Sequence, residues 1–238
     1  MNQDNSKNVF GFTLVELMLA MGFVSALLLV IALTVIQIGN IYNRGLTYKN
    51  VNQVGSNISS ELQRNINNSP RFDLGIRLRY NSYGGQVFGG RLCTGQYSYV
   101  WNYGAAFSSV PSTTINRYSS GSNGSINFVK VYDPNFSHCT NISSQIDPAK
   151  ALELLPSGQY NLAIHNISIT SQPTAIDNST GQQLYSISIL LGTNNRSALS
   201  GLLGSTNCLT PNQSGADPTY CSVSQFNIVA RAGNIVEL

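Results

Sequence analysis

The stretch GFTLVELMLAMGFVSALLLVIALTVIQI, Gly11 to Ile38, decides how the rest of the chain is read. From Phe12 to Ile38 it carries a single charge, Glu16. As a helix rising about 1.5 Å per residue the run would reach roughly 40 Å, more than a hydrocarbon core needs. A membrane span is therefore the first expectation. A secretory signal peptide fits poorly, because its apolar core is about 7 to 15 residues long and its small residues follow that core. Here the glycine precedes the run. The segment before it, MNQDNSKNVFG, is polar and holds one Lys and one Asp, so it gives only a weak orientation signal.

Glu16 then needs a reason. A carboxylate at the centre of a membrane helix costs about 2.5 to 3.5 kcal/mol, and less near an interface. One turn into the helix it also faces the positive end of the helix dipole. These effects permit the charge without giving it a use. In a bundle of such helices an unpaired acid would destabilise packing, whereas an acid offered a neighbour's cationic amine would be satisfied. The small residues Ala20, Gly22, Ser25 and Ala26 would let helices approach closely, with Gly22 and Ala26 at small-xxx-small spacing.

The junction Gly11-Phe12 followed by Thr13, Leu14, Val15, Glu16, Leu17 and Met18 resembles the processing motif of the type IV pilin and pseudopilin superfamily. The likeness covers roughly the first fifth of the chain. It implies cleavage between Gly11 and Phe12 by a membrane prepilin peptidase, methylation of the new Phe12 amine, and a salt bridge from Glu16 to the Phe12 amine of an adjacent subunit. It also implies a subunit held in the cytoplasmic membrane before assembly into a cell-surface or extracellular filament, with other pilin subunits as partners. Many helices of that superfamily carry a proline about twenty residues into the mature chain; this one reads LLLVIALTV there. Gly39, Gly45 and Gly55 are the remaining positions where the helix would loosen.

After Ile38 the chain turns polar, yet Ile41, Leu46, Val51, Val54, Ile58, Leu62 and Ile66 keep near-helical spacing up to the stop at Pro70. The helix is expected to continue and to lay this stripe on a sheet. From Arg71 onward, short alternating runs are punctuated by Gly, Pro, Asn and Ser, which predicts antiparallel strands. The runs are FDLGIRLRYN, GQVFGGRLC, GQYSYVWNYG, SINFVKVYD, YNLAIHNISIT, QLYSISILLG and SQFNIVARAG. In QLYSISILLG, Tyr185, Ile187, Ile189 and Leu191 alternate with polar residues; in the last run Phe226, Ile228 and Ala230 share one face. The expected fold is α+β: a long N-terminal helix packed on an antiparallel sheet. The expected divisions are a leader at 1–11, a membrane or filament-core segment at 12–38, an amphipathic continuation at 39–69 and an exported β-rich domain at 70–238.

The four cysteines all lie beyond the apolar run. An exported domain would pair them, and three pairings are possible in principle. Cys93 with Cys139 and Cys208 with Cys221 is the expected set, because the second bridge would staple a turn-rich loop containing Pro211, Gly215 and Pro218. The other reading is four buried thiols in a reducing compartment. The segment RLCTGQYSYVWNYGAAF resembles a stretch of larger minor pilins of the PilW and pseudopilin-J kind. Its Tyr97, Tyr99, Trp101 and Tyr103 recur at period two and share one face of a strand, either as core or as an exposed stripe that binds a surface or glycan. The exposed stripe would suit a second reading, a membrane-tethered adhesin or receptor.

Chemistry is sparse elsewhere. Charged residues make up 10% of the chain and the formal charge is +3, with no basic run, so nucleic acid is not an expected partner. The two histidines, His138 and His165, belong to no zinc spacing, and His138 beside Cys139 suggests a surface imidazole next to a disulfide. No phosphate-binding glycine loop occurs, so a filament motor would be another protein. DNSTGQQ from Asp177 lacks the carboxylates of a calcium loop and is expected to be a turn. The sequons at Asn57, Asn141 and Asn166 matter only in a glycosylating host. No enzyme activity, cofactor or metal is expected, and the chain is expected to be a structural filament subunit.

Overall fold

The computed structural model describes residues 12–104, 115–119, 126–141, 145–155, 161–172, 181–201 and 206–233. Helix α1 spans Leu14–Asn67. The chain divides into two compact units, residues 1–43 and 44–238. The first is helical throughout its described length beyond Thr13, and every side chain from Phe12 to Ile38 is exposed. This helix is long and apolar enough to cross a membrane.

The second unit starts with the remainder of α1, whose buried positions are Thr47, Val51, Val54, Gly55, Ile58, Leu62 and Ile66. The spacing is that of one helical face, so the stripe read from sequence is the one that packs, beginning at Thr47; Ile41 is exposed. A short helix α2, Leu74–Arg77, follows, capped by Asp73 accepting from the Gly75 N–H. The first predicted strand is therefore half helix, because the Asp73 carboxylate offers these backbone donors a cap that the alternation does not reveal. The strands are β1 (Leu78–Tyr83), β2 (Gln86–Thr94), β3 (Tyr97–Asn102), β4 (Phe128–Tyr132), β5 (Ala151–Glu153), β6 (Leu162–Ser171), β7 (Gln183–Thr193), β8 (Leu199–Ser200), β9 (Asn207–Cys208) and β10 (Val223–Ala232), with helix α3 at Ser137–Thr140.

One sheet is an antiparallel meander ordered β1-β2-β3-β4-β5, and a second is ordered β10-β7-β6; β8 and β9 form a small ribbon. A parallel bridge between Tyr103 and Ile164 joins the two sheets, with the Gly104 N–H donating to the Ile164 carbonyl at 2.9 Å. The α1 stripe packs with Leu92, Tyr99, Trp101, Phe128, Ile187 and Ile189 in one core spanning both sheets. On the other side of the meander Val100, Val129 and Val131 pack with Ile126 and Ile146 in a smaller cluster. That second layer explains why β3 is buried along nearly its whole length rather than on alternate residues.

Two close approaches fix the packing. A Cβ on Gly55 would sit within the ring of Phe226, closer than any side-chain carbon can come, so glycine brings β10 onto α1. Gly90, opposite Trp101 in the β2–β3 ladder, lies beneath the indole in the same way. Across the helix–sheet contact Glu61 accepts from the Lys130 ammonium at 2.6 Å, and that ammonium also lies 3.8 Å above the Tyr97 ring. Burial opposes ionisation of Glu61, but Lys130, Asn65 and Arg64 together outweigh it and hold the carboxyl below its ordinary value.

Candidate assembly site at the start of the apolar helix

Leu14 is the first helical residue, which makes Thr13 the cap and Glu16 the third residue of the helix. The Glu16 N–H donates to the Thr13 hydroxyl oxygen at 3.3 Å, while Glu16 Oε2 accepts from the Thr13 N–H at 3.0 Å and from the Thr13 hydroxyl at 2.9 Å. This is a reciprocal capping box. It gives Glu16 a use inside its own chain: it satisfies backbone donors that otherwise end unbonded at a helix start. The signal was present in the sequence as Thr-x-x-Glu ahead of an apolar run, and it gives Thr13, so far only one residue of the motif, the role of helix cap. Glu16 Oε1 takes no part in the box, so the carboxylate keeps acceptor capacity for a second partner. Phe12 is exposed beside it, and Gly11 lies outside the described residues.

Behind the box, Leu14, Leu17, Leu19 and Phe23 are 52 to 75% exposed, so no described part of the chain covers the apolar surface. Gly22, Gly39 and Gly45 would meet nothing within 4 Å if given a Cβ. Gly55 is different in kind, because its space is occupied by Phe226. Of the three positions where loosening was expected, Gly55 thus has a packing reason inside the domain.

The aromatic row does not form a surface. Tyr99, Trp101 and Tyr103 are 0, 1 and 2% exposed, and Tyr97 is half-buried under Lys130. Trp101 meets Phe128 and Tyr80 edge-on, and the Tyr103 hydroxyl donates to Asn166 Oδ1 at 3.1 Å while accepting from the Ile167 N–H at 3.2 Å. The expectation of surface-binding aromatics at Tyr97, Tyr99, Trp101 and Tyr103 is overturned: this face of β3 meets α1, and the rings fill the space between them.

Both expected disulfides are present, Cys93–Cys139 and Cys208–Cys221, and no described cysteine is free. The first ties β2 to α3. Asp133 builds that anchor: its carboxylate accepts from the Ser137 and His138 N–H groups and from the Ser98 and Ser137 hydroxyls, at 2.8 to 3.0 Å. Burial works against its charge, but these donors outweigh it and hold the carboxyl below its ordinary value. His138 is buried, a correction to the expected surface imidazole, and burial lowers its pKa. Nearby, Arg91 is 3% exposed and donates to Asn116 Oδ1 and to the His138 and Asn141 carbonyls; burial lowers its pKa to about 10.

His165 sits at the irregularity in β6 with its Nε2 3.1 Å from the Thr193 carbonyl, and burial lowers its pKa. Among the described residues no group of three or more His, Cys, Asp or Glu side chains is placed to hold a metal. Residues 173–180, which include Asp177 to Thr180, lie outside the described residues, so the turn expected at DNSTGQQ falls there except for its last residues, Gly181 to Gln183. Asn57 and Asn141 are exposed, whereas Asn166 is half-buried against Tyr103.

Fold and site together define an α+β chain that carries an uncovered apolar helix, headed by an acidic capping box, and a disulfide-linked β-rich unit. Compared with known proteins, the chain matches no family model, no curated protein and no solved structure.

Proposed function

We propose that the chain is a structural subunit, of the minor kind, of a type IV pilus or a related secretion or competence pseudopilus. In this reading prepilin peptidase cleaves between Gly11 and Phe12, the apolar helix holds the subunit in the cytoplasmic membrane, and the same helix packs into the filament. The size of the β-rich domain favours a minor rather than a bulk subunit. The chain acts by assembly and carries out no catalytic step.

The observation that carries the reading is the position of Glu16: an acid in the first turn of an uncovered apolar helix, immediately behind Phe12. The capping box uses one carboxylate oxygen. The other accepts the cationic amine that cleavage would create on Phe12 of the next subunit, which relieves the cost of a buried acid in a helix bundle. A tethered binding module is the lesser reading, since the rings that would have served it are core.

Substitutions separate the two uses of Glu16. Glu16→Gln keeps a side chain that can close the box but removes the charge; Thr13→Ala removes the cap and keeps the charge. Filament incorporation should be lost in Glu16→Gln and Glu16→Leu and should survive in Thr13→Ala, with the cap contributing about 1 kcal/mol to the helix. Mass spectrometry of protein from cells containing the peptidase should find a methylated Phe12 at the N terminus. Normal incorporation of Glu16→Gln, or recovery of the chain with residues 1–11 attached, would refute the proposal.

A further inference from the structure

Between β6, the end of β7 and the β8–β9 ribbon lies a cavity of about 140 Å³, with His165, Asn194, Arg196, Leu199, Ser200 and Thr206 among its lining residues. Pockets that take drug-sized ligands measure roughly 300 to 1,000 Å³. This one therefore suits a compact group of a few heavy atoms rather than a nucleotide or a sugar chain.

A bulge places the imidazole there. Leu162 and Ile164 before His165, and Ile167 and Ile169 after it, all lie in the core, so the core face of β6 changes from even to odd positions at this residue. The pairing with β7 steps from Ile164–Leu191 to Asn166–Leu190 and leaves His165 as the extra residue. Such a bulge re-aims the side chain it carries. The His165 ring is 3% exposed, and its Nε2 lies 3.1 Å from the Thr193 carbonyl. A carbonyl only accepts, so Nε2 carries the proton and Nδ1 of the neutral ring keeps a lone pair. Nδ1 has no hydrogen-bond partner among the described residues. A buried polar atom in that condition is costly unless something in the cavity bonds it.

The other walls supply donors. Beyond β7 the Asn194 N–H donates to the Asn161 carbonyl at 2.7 Å, and the Asn194 side chain lies against Gly104, where a Cβ would collide with its Oδ1. Neither the Asn194 side-chain amide nor the Thr206 hydroxyl is hydrogen-bonded to a described residue. Ser200 stands in β8 and Thr206 just ahead of β9, in the ribbon that the Cys208–Cys221 bridge ties to the approach to β10. Arg196 is exposed on the turn before β8, and no carboxylate is among the described lining residues.

We infer that this cavity binds a compact oxyanion, phosphate or sulfate, either as the free ion or as the end group of a monoester. Arg196 supplies the charge, Asn194, Ser200 and Thr206 donate, and His165 takes up a proton so that Nδ1–H becomes a further donor. A lining with a guanidinium and no carboxylate selects an anion over a cation. It selects an anion over an uncharged ligand because only an anion draws binding energy from both Arg196 and a charged His165. Burial holds His165 below its ordinary pKa in the free protein, and a bound anion raises it. Affinity therefore grows as pH falls through the pKa of the bound form and levels off below that of the free form. Arg196, the other ionisable group of the described lining, stays protonated throughout, and Thr193, Asn194, Ser200 and Thr206 carry no charge.

The chain has two histidines, so NMR of the full-length protein in detergent micelles, with labelled histidine rings, reads His165 with His138 as an internal control. The probes are sodium sulfate, which does not titrate near neutral pH, sodium phosphate and methyl phosphate, each compared with sodium chloride at equal ionic strength. Sulfate at millimolar concentration should raise the His165 pKa by about one unit, a tenfold preference of the ion for the charged ring, and leave His138 where chloride leaves it. Arg196→Gln and Thr206→Val, both outside the core clusters, should each weaken the sulfate midpoint about tenfold without changing the melting temperature in chloride. Binding of the inorganic ions alone supports a free ion as ligand; binding of methyl phosphate as well supports a monoester end group. A His165 response to sulfate no larger than that to chloride, an equal shift at His138, or an unchanged midpoint in Arg196→Gln would each overturn the proposal. None of these results bears on processing at Phe12, so the two readings fail separately.

Discussion

Gly55→Ala tests the packing of the domain most directly. A methyl group at Gly55 would occupy the Phe226 ring, so the half-buried ring must turn aside or the strand must move away from the helix. Such overpacking costs about 2 kcal/mol. Alanine returns about 1 kcal/mol of helix propensity, leaving a net loss of about 1 kcal/mol. For a unit of this size that corresponds to a melting temperature lower by about 3 °C. In a Phe226→Ala background the overlap vanishes and only the propensity gain remains, so the same substitution should stabilise by about 1 kcal/mol. The sign reversal, a coupling of about 2 kcal/mol, is the diagnostic. Gly45→Ala, which meets nothing, should show no loss in either background. Urea unfolding of the full chain in detergent, followed by fluorescence of the buried Trp101, measures all of these. If Gly55→Ala has the same effect with and without Phe226, glycine is not there for the ring, and the account of how β10 seats on α1 is wrong.

Asp133→Asn should destabilise the domain by about 1 to 3 kcal/mol near neutral pH, because one of its oxygens becomes a donor facing donors. The folded carboxyl of Asp133 lies below its unfolded value, so its contribution is present above about pH 4 and is lost as pH falls through the folded pKa. Denaturation midpoints measured from pH 6 to pH 2 should therefore fall less steeply in the variant. Loop-closure entropy ranks the disulfides: the Cys93–Cys139 bridge spans 46 residues and the Cys208–Cys221 bridge 13, so serine pairs should cost about 4 and about 3 kcal/mol respectively. Thiol labelling under mild reductant should reach Cys208 and Cys221 first, since Cys93 and Cys139 are buried. Lys130→Met should cost about 1 to 3 kcal/mol, and a cycle with Glu61→Gln should recover most of it, because the loss is chiefly that of a half-buried carboxylate deprived of its cation.

Periodicity alone was enough to place the helix, its apolar and amphipathic parts and seven of the strand regions. Each of these rests on local rules: a side chain's face follows from the 3.6- or 2-residue repeat of its own backbone. The cysteine partners were also legible, because a turn-rich loop with a cysteine near each end has few other ways to be held. The capping box was written in Thr13 and Glu16, although reading it required attention to the helix start rather than to the charge.

Other features depend on what arrives from far along the chain. Alternation along β3 shows that Tyr99, Trp101 and Tyr103 share a face, but only the arrival of α1 decides that the face is interior, and only the cluster around Ile126 and Ile146 buries the opposite one. Gly55 resembles Gly45 in sequence, and they differ because Phe226, 171 positions away, packs on one and not the other. Likewise the exposed edge of β10 exists because the side chains of α1 reach Val229 and Arg231 and stop short of Gln225. Repeats confined to neighbouring residues specify which way a side chain faces; whether that direction meets protein, solvent or a partner is set by contacts between segments that the local pattern does not connect.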